Sequence, residues 1–167
     1  MPPRRIPATA LPGLVLLLVL GACWPRWQGA EAELGDVRLE MQLRPLAGLH
    51  SEWRRRLRVD GPAGAATLPL FEDTGWWRGT SIYRRADGTI LLHEGQGGCL
   101  VLDPATSARR SGDDLCRAAL PRGEPWRRLS EVLPGLTYLG HFSEAGRIGV
   151  LWAPAAAGAE PALPPPL

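Results

Sequence analysis

The chain has 167 residues, 45% of them hydrophobic and 22% charged, which is enough for one domain plus flanks. Its formal net charge of +2 resides in Arg4 and Arg5: removing these two from the 19 basic residues leaves 17 Arg against 17 Asp plus Glu, and no Lys occurs anywhere. A body this close to neutrality argues against nucleic-acid binding by bulk charge.

Arg4 and Arg5 precede an uninterrupted apolar run from Gly13 to Leu20. That run is far shorter than the roughly 20 residues a transmembrane helix needs. A short positive region, a short apolar core and small residues before a boundary make a secretory signal. Arg4-Arg5 also fits a twin-arginine signal, but Pro7 follows closely and the wider motif is missing. The run closes with Leu20-Gly21-Ala22-Cys23. This resembles the lipobox of bacterial lipoproteins: Leu three positions before Cys, two small residues, then Cys.

The residue types suit the chemistry that the resemblance implies. Gly21 and Ala22 let a peptidase approach an extended backbone, and Cys23 offers the nucleophilic sulfur for thioether formation with a lipid. Cleavage before Cys23 leaves 145 residues held to a membrane by acyl chains. Trp24 stands where an Asp would retain an enteric-type lipoprotein in the inner membrane. The resemblance therefore implies the periplasmic face of the outer membrane in a Gram-negative host. With Cys23 taken by lipid, Cys99 and Cys116 form an even pair in an exported protein, and we read one disulfide. A two-Cys metal site is the alternative, with only His93 close by as a further ligand.

Residues 23–34 read as a tether, with Trp24 and Trp27 suited to a headgroup interface. The domain is expected over 35–153. Val37 to Arg44 alternates strictly between apolar and polar residues, so a half-exposed strand is expected, stopped by Pro45. A second strand follows at Trp53 to Val59. Here Arg54, Arg55, Arg56 and Arg58 beside Trp53 make the one concentrated basic patch, which is either an anionic contact surface or a charged, solvated strand edge. Residues 61–66 read as a loop and Thr67–Phe71 as a short edge strand, since Pro69 cannot donate to a ladder.

Thr80–Arg85 and Thr89–Glu94 flank Ala86-Asp87-Gly88 and predict a hairpin. Cys99–Leu102 is a short apolar strand, and residues 103–114 are polar and turn-rich. Arg127–Leu133 predicts a two-turn helix with Leu129, Val132 and Leu133 on one face. Leu136–Phe142 and Arg147–Trp152 predict a last hairpin. Residues 154–167 are dominated by Ala, Pro and Gly and predict a disordered tail. The expected fold is a small antiparallel β sandwich or incomplete barrel, with seven or eight strands and one short helix.

The sequence contains no HExxH, P-loop, nucleophile-elbow or dinucleotide fingerprint. No catalytic residue, metal ligand or cofactor is assigned. His93 and His141 would need a carboxylate from a distant segment to work as an acid–base pair, and His93 and Glu94 point to opposite faces of their strand. Trp76-Trp77 places adjacent indoles on opposite sides, so one can fill the core while the other stacks on a sugar or anchors a contact. Three functions follow as expectations. One is a periplasmic binding or envelope-structural module with a protein partner at Trp53 and its arginines. Another is a glycan-binding module using Trp76 or Trp77. The last is an enzyme built on His93 or His141.

Overall fold

The computed structural model describes residues 26–46, 53–73, 75, 77–123, 125–145 and 149–166. Cys23 and the lipobox lie outside the described residues, as do Trp24 and Trp76. The chain forms two antiparallel sheets facing each other, a β sandwich.

The first sheet is a meander in the order β1-β2-β3-β4, from β1 (Gln28–Glu33), β2 (Arg38–Pro45), β3 (Trp53–Gly61) and β4 (Gly64–Pro69). The alternation of β2 sets its faces: Leu39, Met41 and Leu43 are buried while Arg38 is exposed. Each such burial contributes roughly 1.5–3 kcal/mol, so a one-residue slip that reversed the faces would be heavily disfavoured. The register matches, with Leu39 opposite Val59 and Met41 opposite Leu57.

The second sheet runs β10-β9-β5-β6-β7-β8. Its strands are β5 (Thr80–Arg85), β6 (Ile90–His93), β7 (Cys99–Asp103), β8 (Ala108–Ser111), β9 (Leu136–Ala145) and β10 (Gly149–Pro154). The β5–β6 hairpin turns at Asp87-Gly88, where Gly88 has φ 82° and Asp87 Oδ1 accepts the Thr89 N–H at 3.0 Å. One face of this sheet contributes Ile82, Ile90, Leu92, Leu102 and Phe142 to the core between the sheets. The other face carries Tyr83, Leu91 and Val101 under two short helices, α1 (Asp113–Ala119) and α2 (Leu129–Val132), through Cys116, Leu120 and Leu129. Strands β5 and β6 are therefore buried on both sides, and neither shows the polar-out alternation of β2.

Several expectations change. Residues 28–33, read as part of the tether, form an edge strand because Ala30 and Ala32 pack on the core beside β2. Trp27 does not lie free for a membrane: the guanidinium carbons of Arg56 and Arg44 stand 4.0 and 5.0 Å from its ring centroid. The loop expected at 61–66 already enters β4 at Gly64, and the turn-rich segment 103–114 contains β8 and the start of α1. Ten strands and two α-helical segments stand among the described residues, more than expected, because short strands of small or charged residues give no periodic signal.

The tail also departs from expectation. Glu160 and Leu163 are buried, and Leu163 makes a backbone bridge to Arg127. Glu160 Oε1 accepts the Tyr83 hydroxyl at 2.7 Å and the Ser130 N–H at 3.2 Å, its other oxygen accepts the Ser130 hydroxyl, and its carbonyl accepts Arg128 Nε at 2.8 Å. Composition measures only average apolar content. One carboxylate satisfied by this many donors, together with buried Leu163, docks the segment regardless.

Candidate functional site

The basic stretch of β3 divides by strand alternation. Trp53 and Arg55 point inward and are buried, whereas Arg54, Arg56 and Arg58 point out. Arg54 pairs with Glu72, its Nη2 lying 3.1 Å from Oε1, and Arg56 Nε donates to Gln42 Oε1 at 2.5 Å while covering Trp27. The expected contact surface of Trp53, Arg54, Arg55 and Arg56 is therefore not formed as one exposed patch.

Arg55 instead builds the floor of a cleft. Its Nη1 and Nη2 donate to Glu94 Oε1 and Oε2 at 2.9 and 3.3 Å, and its Nε has no partner. Both side chains are out of water. Burial pushes the Glu94 carboxyl above its usual range, and the adjacent Arg55 charge, its hydrogen bonds and Thr80 pull it back. The Arg55 guanidinium carbon lies 5.0 Å from the Trp77 ring centroid, Trp77 Nε1 donates to Thr80 Oγ1 at 3.1 Å, and Thr80 Oγ1 donates to Glu94 Oε1 at 3.4 Å. A buried ion pair costs desolvation energy that its attraction only partly offsets, so its value is in fixing one arrangement.

Three local devices position this floor. Asp73 forms a backbone bridge to Trp53, and its Oδ1 accepts the N–H groups of Gly75 and Trp77 at 2.8 and 2.9 Å, which folds the β4–β5 connection over Arg55. Glu94 follows β6 and enters a 3₁₀ turn at Gly95–Gly97. Gly98 then has φ 94°, and a Cβ there would lie 2.4 Å from Asp113 Oδ1, so glycine is required twice over. That Oδ1 accepts the Cys99 N–H at 2.7 Å. The Cys99–Cys116 pair is joined as a disulfide, which pins α1, with Asp113 and Arg117, beside β7.

The resulting cleft encloses about 330 Å³, lined by Arg55, Asp73, Trp77, Glu94 and Arg117 among others. A second cleft of about 400 Å³ adjoins it, lined by Leu70, Leu100, Arg109, Arg110 and Ser111 among others. Phe71 and Asp113 line both. Phe71 is 54% exposed, uncommon for so large an apolar side chain, and forms the ridge between them. Neither the clefts nor Phe71 carries a sequence signal. Phe71 reads as the end of an edge strand, and the clefts arise from segments as far apart as 55 and 117.

The imidazoles lie elsewhere. His93 faces the covered side of the second sheet, opposite Glu94, and Ser81 stands between His93 and His141 in the strand register. His141 Nδ1 lies 3.1 Å from Ser81 Oγ, and a Cβ on Gly79, whose φ is 107°, would collide with the ring. Burial lowers His93 to about 4, against a hydrogen bond from the ring to the Pro164 backbone carbonyl that raises it, and burial lowers His141 likewise. Neither imidazole meets a carboxylate in a hydrogen bond among the described residues, and neither lines the two clefts. The acid–base pair expected of an enzyme is not assembled at these positions. Among the described residues no cluster of three or more His, Cys, Asp or Glu side chains could hold a metal ion, and no helix is long and apolar enough to cross a membrane.

Compared with known proteins, the chain matches no family, no curated protein and no solved structure.

Proposed function

We propose that this protein is a lipid-anchored binding module of the bacterial envelope, with its binding surface at the two adjoining clefts that share Phe71. The lipobox-like Leu20-Gly21-Ala22-Cys23 supports the anchor. The observation that carries the binding surface is Phe71, an exposed aromatic ridge shared by two adjoining clefts of unlike polarity. Clefts of roughly 300–1,000 Å³ with apolar walls and a few placed polar groups are where ligands bind. A glycan stacked on Trp77 is a poorer fit, because Trp77 is only 6% exposed and Arg55 already covers its ring.

Two measurements test the reading. Intact mass and membrane partitioning of the native protein, beside Cys23→Ala, test the anchor. Loss of residues 1–22, gain of acyl mass and membrane retention only in the wild type are expected. Release of an unacylated wild-type chain would refute it. A photo-crosslinking amino acid at position 71, compared with one at exposed position 58 on the far face, tests the surface. Specific adducts at 71 alone are expected, and equal labelling at both positions would refute the assignment.

A further inference from the structure

We infer that the groove between β4 and β8 binds an amphiphilic anion, an acyl chain lying along Leu70, Phe71 and Leu100 with its anionic head on Arg109. This inference rests on the binding-module reading of the same side of the molecule and narrows it to a ligand class.

The strand register places the parts. Arg109 and Ser111 lie two apart on β8 and so share a face, with Leu102 opposite Arg109 and Leu100 opposite Ser111. That face turns toward β4, because Arg109 Nη1 reaches across the gap to the Pro69 carbonyl at 2.6 Å. Below this strut the groove is walled by buried Leu70, half-buried Leu100 and exposed Phe71. An apolar trough of about 400 Å³ with a basic group, Arg109, on one rim suits a small ligand having one apolar end and one charged end.

The sign of the charge follows from the pairing. Arg109 spends one N–H on a neutral carbonyl and is not hydrogen-bonded to a carboxylate among the described residues, whereas Arg110 lies on the opposite face of β8 and its charge acts on Asp87. Asp113 also lines the groove, but its Oδ1 is taken by the Cys99 N–H, which leaves Arg109 as the charged donor on this rim. The remaining N–H donors of the Arg109 guanidinium match a carboxylate or phosphate. A bare inorganic anion would leave the apolar wall unused, and a neutral chain would leave Arg109 unused. An added peptide strand is disfavoured, because β8 has four residues, carries two Arg, and has Arg109 lying across the gap to β4.

The chemistry is shared by a free fatty acid and by the single acyl chain of a lysophospholipid. The test titrates the isotopically labelled mature chain, followed by amide chemical shifts, with decanoate, with lauroyl lysophosphatidylglycerol and with decanol, each below its micelle concentration or solubility limit. Saturable shifts confined to residues 70–71, 99–100 and 109–111 are expected with at least one anion. Decanoate as the better ligand assigns a free acid, and the lysophospholipid a membrane source. Arg109→Gln should weaken anion binding about tenfold, as expected for losing a charge-assisted hydrogen bond, and leave decanol unchanged. Arg109→Lys, which keeps the charge, should retain most of the affinity. Phe71→Ala, at an exposed position, should weaken both the anions and decanol. Decanol binding as tightly as the anions, shifts elsewhere, or no binding would overturn the inference. If position 71 still crosslinks specifically in those cases, the binding-module reading stands and only the ligand class falls.

Discussion

The two lateral sides of the sandwich are built differently. On one side β1 lies beside β10, and the gap is filled: Phe142 and Trp152 stack with centroids 4.6 Å apart, Val150 and Ala30 join the core, and Arg84 Nη2 donates to the Leu34 carbonyl at 2.7 Å. On the other side β4 and β8 face each other across a single Arg109 strut, with exposed Phe71 above two clefts. The same two sheets close one seam with large aromatics and leave the other lined by short, small or charged strands. Packing is thus concentrated on the β1–β10 side and the clefts lie on the β4–β8 side.

The largest effect should come from the closed side. Phe142→Ala removes a fully buried ring against Trp152 and should cost about 3–5 kcal/mol in urea unfolding. A loss under about 1 kcal/mol would break the comparison, because the closed seam would then not be the source of stability. Close behind, Glu94→Gln leaves the Arg55 charge buried without its counter-ion and should cost about 3–5 kcal/mol. Arg55→Met combined with Glu94→Leu should recover most of that loss. Failure of the double variant to recover would show that the pair contributes more to stability than to arrangement.

The covered face of the second sheet supplies a pH test. The folded pKa of His93, at about 4, lies below its unfolded value of 6.5, so the unfolded state binds more protons between them. The contribution is complete above about pH 6.5 and is lost as pH falls, reaching on the order of 3 kcal/mol near pH 4. Urea midpoints of the wild type and His93→Gln across pH 4–7.5 report this term together with its coupling to His141, the Glu94 shift being common to both. Parallel curves would contradict it. Because His93 meets Pro164, the lost stability should coincide with exposure of residues 159–166 in hydrogen exchange. The smallest effect sharpens the comparison from the open side: Phe71→Ala should change stability by less than about 0.5 kcal/mol while weakening decanoate binding in the chemical-shift titration.

Much of the sandwich was legible in the sequence because its signals are local. Alternation located β2 and β3, Asp87-Gly88 located the central hairpin, and the pair Cys99 and Cys116 indicated the disulfide. The candidate site was not legible. Arg55 is indistinguishable in sequence from Arg54 and Arg56, and only strand phase together with the distant Glu94 separates a buried charge from its solvated neighbours. Glu160 likewise sits in a stretch whose composition predicts disorder, and its donors come from residues 83, 128 and 130.

The sequence by itself determined the alternating strands, the turns and the disulfide partners, since each depends on residues near one another or on the count of cysteines. Tertiary structure alone decided which arginine is buried, that the C-terminal segment docks, and that the sandwich is closed along β1 and β10 but open along β4 and β8. Those outcomes depend on how volume and charge match across segments remote in the chain, which no local pattern encodes.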